Sequence, residues 1–290
     1  MEITGTEPAP RFTQSRGAVA RFEYLAEAGS TNDVLMNHAM GADAASWPDL
    51  SVVVTDNQTR GRGRLGRTWL APTGKSLAIS VLLRPATAGG QPLSLDHFGW
   101  FPLMAGAAMT RAVRTVVEAS IVPVTDLREA ETPAHQVALK WPNDVLIDGY
   151  KVSGILSELL PSADGLVIGA GLNVSLDEHD LPTLTSTSLS LVTGGVPDPD
   201  AVLAGYLTEL TTLYRAFMAA GGDPVASGVF DAVSELCGTL GSQVRVELPG
   251  GDDLVGTATA LDATGRLIVR NQADDELHAV AAGDVTHLRY

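Results

Sequence analysis

The sequence predicts an α+β fold: a large unit of strands and helices, followed by a small β-barrel at the C-terminal end. Three observations point there. Short β-branched runs such as Ser-Val-Val-Val-Thr at 51–55 alternate with segments of helical spacing. A long apolar stretch at 96–117 carries Ala105, Gly106, Ala107 and Ala108, small residues that let a helix pack closely on a sheet. From Gln243 onward the helical spacing stops and short alternating strands take over, separated by turns containing Gly or Asp.

In chain order, residues 1–20 are rich in Pro, Ala and Thr and read as a loose lead-in, with no signal-peptide pattern. A strand is expected at 22–25. Ser30 or Thr31 then suits the N-cap of a helix over 34–40. Strands at 51–55 and 76–83 flank an Arg/Gly-rich loop at 57–73. After the helix at 96–117, strands are expected at 136–141, 145–147, 151–159 and 165–172, with Asp148-Gly149 as a hairpin turn. Helices follow at 199–220 and 225–233. Short strands at 244–248, 254–260, 266–269 and 277–280, part of a set of about five, fit a small barrel, with a turn at Pro249-Gly250-Gly251. The expected division is a lead-in at 1–20, a main domain at 21–237 and a closing domain at 238–290.

Composition narrows the function classes. Hydrophobic residues make up 45% of the 290, enough for a full core. The formal net charge of −15 argues against a protein that coats nucleic acid by bulk charge. The apolar run at 98–110 is too short to span a bilayer and is bracketed by Asp96 and Arg111. A single cysteine, Cys237, cannot form an internal disulfide and reads as a small buried side chain. A cytoplasmic protein without membrane or DNA partners is the expectation, and Trp47 and Trp100 read as packing residues.

Three constellations carry chemistry. Gly61-Arg62-Gly63-Arg64-Leu65-Gly66-Arg67-Thr68-Trp69, preceded by Arg60, concentrates cations in an acidic chain. Arginine forks bind phosphate and carboxylate, and the glycines let the backbone approach a ligand. Mutually repelling arginines on a flexible loop call for an anion between them. The loop lacks the Gly-Lys-Ser/Thr ending of a Walker phosphate loop. Lys140-Trp141-Pro142-Asn143-Asp144 precedes a hairpin and then Lys151-Val152-Ser153-Gly154-Ile155-Leu156-Ser157-Glu158; pairing across that turn would bring Lys151 near Asp144. Gly169-Ala170-Gly171-Leu172-Asn173 ends a strand in small residues and an amide. Taken singly, each has a plain structural reading: a solvated loop, an ordinary hairpin, a tightly packed strand.

In this order, Ser30-Thr31-Asn32, Gln58 with GRGRLGRTW, KWPNDV, KVSGILSE and GLNV resemble the biotin protein ligase family, from about residue 20 to the C-terminus. The resemblance implies a mixed sheet flanked by helices, of the class II aminoacyl-tRNA synthetase-like kind, with a C-terminal SH3-like β-barrel. It implies activation of biotin by ATP to biotinyl-5′-AMP, then transfer to a lysine of a biotin carboxyl carrier domain, of an acetyl-CoA, acyl-CoA or pyruvate carboxylase. By the same resemblance Ser30, Thr31, Gln58, Gly61, Arg62, Gly63, Arg64, Lys151, Gly154 and Ile155 face biotin. Arg67, Trp69, Asn143, Asp144, Lys151 and Asn173 face ATP, Asp144 is the candidate Mg²⁺ ligand, and Lys151 and Arg64 act at the reacting centre. The arginine loop is expected to order as a lid over the adenylate. No general base for the acceptor lysine stands out, with Asp144 one choice.

Many family members carry an N-terminal DNA-binding helix-turn-helix; the motifs here begin near residue 28, so none is expected. The acidic stretch at 122–133 reads as a surface insertion. A lipoate or octanoyl ligase or transferase and a nucleic-acid-binding module remain the alternatives, and the chain is expected to be a monomer or homodimer.

Overall fold

The computed structural model describes residues 12–70, 72–86, 89–120, 134–248, 252–281 and 283–288. The expected insertion at 122–133, the Pro249-Gly250-Gly251 turn and the first part of the lead-in lie outside these residues.

The main unit is a seven-stranded mixed sheet. Its strands are β1 (Arg21–Tyr24), β2 (Ser51–Thr55), β3 (Ser76–Leu83), β4 (Val137–Lys140), β5 (Asp144–Ile147), β6 (Tyr150–Leu159) and β7 (Leu166–Asn173). The spatial order is β1-β2-β3-β7-β6-β5-β4. Only β1 and β2 pair in parallel; every other neighbour is antiparallel. The period-two alternation of side chains then gives the sheet two different faces. On β3, Leu77, Ile79, Val81 and Leu83 enter the main core, under helices α3 (Trp100–Ser120) and α5 (Pro199–Ala219). The alternate residue Leu82 joins Val53, Val167 and Leu35 in a second, smaller cluster beneath α2 (Thr31–Met40). The α2 face is where a cleft opens.

Gly106 of α3 explains the close helix–sheet packing: a Cβ there would stand 2.5 Å from Leu139 Cδ1. The first turn of the expected 96–117 helix is instead a 3₁₀ turn, Leu95–His97, and α3 begins at Trp100, ahead of Pro102, which is tolerated in a first turn. The last expected helix also starts later, as α6 (Val229–Leu236), because Gly228 at φ 75° stops the helix from extending back to Val225. Residues 12–20 are not loose. Thr13–Arg16 form a short helix, α1, whose Ser15 donates to Asp200 Oδ1 at 2.6 Å and is fully buried. A further short helix, α4 (Leu189–Thr193), is capped by Ser188. Trp47 and Trp100 are core residues. No helix among the described residues is long and apolar enough to cross a membrane.

The C-terminal sheet has five antiparallel strands, β8 (Gln243–Glu247), β9 (Asp253–Leu261), β10 (Leu267–Asn271), β11 (Leu277–Val280) and β12 (Asp284–His287), in the order β11-β10-β9-β8-β12. The ladder is open at β11 and β12, so hydrogen bonding does not close the expected barrel. The indole N–H groups of Trp100 and Trp141 donate to Ala263 O and Gly265 O, which seats the β9–β10 turn on the main unit.

Candidate active site

The cleft on the α2 face encloses about 360 Å³ and is floored by strand positions that lack side chains. Gly154 of β6 pairs directly with Gly171 of β7. Side chains from outside the sheet occupy the space so created. A Cβ on Gly171 would fall 2.3 Å from Trp69 Cε2, and one on Gly169 would fall 2.4 Å from Asn32 Oδ1. These glycines therefore mark close approach over the sheet, the reading that β7 alone left undecided.

One end of the cleft is polar. Ser30 caps α2, its Oγ accepting from the Asp33 N–H. The Thr31 N–H and Oγ–H both reach Gln58 Oε1, at 2.9 and 3.2 Å. Gln58 is brought there by a parallel bridge with Ala28. Ser80 Oγ stands 2.8 Å from Thr31 Oγ1 and 2.6 Å from Asn32 Oδ1, and donates its one proton to either. Ser30, Thr31 and Asn32 are all buried. This end offers several fixed donors and acceptors and no net charge.

The other end is ionic. Lys151 Nζ donates to Asp144 Oδ1 at 2.6 Å, across the β5–β6 hairpin. It also lies 5.8 Å from the centroid of Trp69, a cation–π contact. The Lys151 backbone is held by a neighbouring segment, its N–H donating to Thr185 O and its carbonyl accepting from Thr187 N–H. Asn143 donates from Nδ2 to Ile155 O and accepts at Oδ1 from Arg64 Nη1, at 2.9 and 2.8 Å. Burial lowers the Lys140 ammonium, helped by the nearby charges of Lys151 and Arg67, while Asp144 and Asp284 pull it up.

The arginine segment folds as a hairpin over this end. Trp69 N–H donates to Gly61 O and Gly63 N–H to Arg67 O, around a turn in which Leu65 and Gly66 take φ 55° and 74°. The anions between the arginines are protein carboxylates. Arg62 pairs with Asp33 and Glu158, and Arg67 with Asp284 of β12. Arg64 donates to Gly283 O at 3.2 Å. The C-terminal sheet thus closes one side of the site.

The cleft lining includes Ser30, Thr31, Gln58, Arg62, Gly63, Arg64, Arg67, Trp69, Asn143, Asp144, Lys151, Gly154 and Ile155. Ile155 borders it, but its side chain enters the core on the opposite face. Gly61 sits behind the lining, packed against Trp69 O and Gln58. Asn173, 2% exposed, also stands outside it; Nδ2 donates to Thr187 O while Oδ1 is buried with no hydrogen-bond partner among the described residues. Sequence reasoning missed Asn32, Ser80, Glu158, Thr183 and Asp284, all at or bonded to the lining. Asn32 and Glu158 stood inside quoted motifs, whereas nothing local marks Ser80 or Asp284.

Residues 29–173 match the biotin/lipoate A/B protein ligase family, and residues 239–288 match the biotin protein ligase C-terminal domain. A biotin–[acetyl-CoA-carboxylase] ligase of Mycobacterium tuberculosis is 36% identical over 270 residues, 93% of this chain and 90% of that protein. The biotin protein ligase of Aquifex aeolicus, solved in complex with biotin and ATP, superposes with a TM-score of 0.69 at 26% identity, covering 93% of this chain and all of that one. The Leishmania major enzyme with biotinyl-5-AMP gives 0.56 at 26% identity, over 91% and 99% of the two chains. With half its length in the family match and so similar a relative over nearly all of it, this chain belongs to the biotin/lipoate A/B protein ligase family.

Proposed function

We propose that the cleft activates biotin with ATP to biotinyl-5′-AMP and passes the biotinyl group to a lysine of a biotin carboxyl carrier domain, that of an acetyl-CoA, acyl-CoA or pyruvate carboxylase. The observation that carries this reading is the division of one cleft into a neutral, donor- and acceptor-rich end at Ser30, Thr31 and Gln58 and a cationic end at Lys151 and Arg64. Biotin has a matching polarity: a neutral ureido ring at one end and a carboxylate at the other.

In the first step a biotin carboxylate oxygen attacks the α-phosphorus of ATP; the bond to pyrophosphate breaks and pyrophosphate leaves. Two anions must meet, which costs Coulomb energy unless cations lie between them. Lys151 and Arg64 supply that charge where it builds up on the phosphoryl oxygens. Asp144 holds the Lys151 ammonium in place, and Asn143 does the same for the Arg64 guanidinium. Trp69 offers a ring face to the nucleotide, while Asn173, buried outside the cleft lining, supports the segment at Thr187 that holds the Lys151 backbone. Asp144 presents a carboxylate at the cleft lining, a hard oxygen donor that fits Mg²⁺. When bound, the ion screens the triphosphate charge. In the second step the carrier lysine amine attacks the biotinyl carbonyl, the bond to AMP breaks and the amine gives up a proton. Asp144 takes that proton only by releasing Lys151. The arginine hairpin keeps water from the mixed anhydride.

The test is formation of biotinyl-5′-AMP by the purified protein from biotin and Mg²⁺-ATP, read by mass spectrometry, with lipoate and octanoate as competitors. Adenylate formed from biotin and unaffected by the fatty acids supports the reading; preference for lipoate or octanoate overturns it.

A further inference from the structure

Glu158, near the end of β6, has no part in the chemistry proposed above, yet its carboxylate joins the two halves of the cleft. Arg62 Nη2 donates to both of its oxygens at 2.9 Å, and Asn32 Nδ2 donates to Oε2 at 2.7 Å. Arg62 opens the arginine hairpin, being bridged to Thr68 across it. Asn32 lies one residue after Thr31; Ser80 Oγ stands within hydrogen-bonding distance of both Asn32 Oδ1 and Thr31 Oγ1, with one hydroxyl proton from each of Ser80 and Thr31 to serve them, and the Thr31 N–H carries the link on to Gln58 Oε1. A continuous chain of hydrogen bonds therefore runs from the hairpin guanidinium to the neutral polar end. Asn32 is held in this chain from below, where only glycine at 169 leaves room for its amide.

We infer that Glu158 is a positioning residue that ties the arginine hairpin to the ring end of the cleft through one carboxylate shared by Arg62 and Asn32. This rests on the biotin reading of the cleft. Oε2 accepts from both Arg62 and Asn32, and Oε1 gives the guanidinium a second contact, so the carboxylate adds a charge-assisted bond that a neutral acceptor lacks. A glutamine keeps one oxygen for the two donors but loses the charge and turns an N–H group toward the Arg62 guanidinium.

The experiment compares the full-length protein with Glu158→Gln and Glu158→Asp by native trypsin digestion and by adenylation kinetics. Trypsin must draw the Arg62 side chain into its own acidic pocket, so a cut after Arg62 requires release from both Glu158 and Asp33, and Glu158→Gln weakens one of these two holds while leaving Asp33 in place. The Glu158→Gln protein is expected to be cut there about fivefold faster, the upper range for a partly exposed ion pair. Cleavage after Arg266 serves as the internal control. Biotin KM should rise by a similar factor with ATP KM unchanged, and Glu158→Asp should recover part of both effects. Biotin should slow the cut in the wild type and not in Glu158→Gln. An unchanged cut rate after Arg62, or biotin and ATP KM rising together with a general loss of melting temperature, overturns the inference. If the wild type forms no adenylate, the biotin reading fails, and the Arg62 cut rate still decides whether Glu158 anchors the hairpin.

Discussion

Replacing Gly171 by alanine perturbs the floor of the cleft at one atom. The added Cβ would lie 2.3, 2.5 and 2.7 Å from Trp69 Cε2, Cζ2 and Nε1. Comfortable carbon contact begins near 3.5 Å, so the indole must retreat by about 1.2 Å. Backbone strain does not contribute, because Gly171 has no positive φ. Trp69 is only partly buried and can tilt toward the cleft, so the stability cost should sit at the low end of overpacking, about 1 kcal/mol. In a chain of this size that is a fall in Tm of about 2–4 °C. The functional cost should be much larger. A displacement of about 1 Å in a group that positions a reactant costs up to about 10²-fold in rate. Ser30, Thr31 and Gln58 lie at the other end and are untouched, so biotin KM should hold while ATP KM rises and adenylate formation slows. Biotin-dependent exchange of labelled pyrophosphate into ATP measures this. Exchange at the wild-type rate with unchanged ATP KM would refute the placement of the nucleotide against Trp69.

Asp144→Asn should slow adenylate formation about 10²-fold, since Lys151 loses its counter-ion at the reacting centre, and should move the Mg²⁺ dependence to higher concentration; a Mg²⁺ titration that overlays the wild type would remove Asp144 from the metal site. Gly99→Ala should destabilise the protein by about 1–3 kcal/mol, because its Cβ would stand 2.4 Å from the backbone oxygen of Thr264, where the C-terminal sheet seats on α3. Urea unfolding measures that loss, and an unchanged midpoint would mean the seat yields freely. Burial pushes the Cys237 thiol up, so iodoacetamide at pH 8 should leave it unmodified in the native protein and alkylate it in urea. Rapid native alkylation would contradict the packing of α6 against β4.

The parts of the fold legible in the sequence are those set by local pattern. The β-branched run of β2, the small-residue face of α3 and the Asp148-Gly149 turn each announce themselves within a few residues. The same holds in part for the site: Lys151 follows Asp144 by seven positions and the two-residue turn folds them onto adjacent strands, where Lys151 pairs with Leu146 and reaches Asp144 diagonally. What stayed hidden depends on distant chain. Asp284 reaches Arg67 across 217 positions, and nothing near either residue signals the pair. The arginine cluster suggested an external anion because its own carboxylates, Asp33, Glu158 and Asp284, come from α2, β6 and β12. Ser15 looked like loose lead-in because its partner, Asp200, lies in the first turn of α5, 185 positions away. The open ladder of the C-terminal sheet is likewise a matter of which edges meet, which strand patterns do not encode.

In the proposed reaction Lys151, held by Asp144, brings biotin and ATP together in this cleft. Its most direct test incubates the wild type and Lys151→Ala with biotin, Mg²⁺-ATP and a purified biotin carboxyl carrier domain, and reads the mass of the carrier. A biotinyl mass shift on one carrier lysine is expected with the wild type, and a rate lower by about 10²-fold or more with the variant. Transfer by Lys151→Ala at the wild-type rate, or none by the wild type, would contradict it.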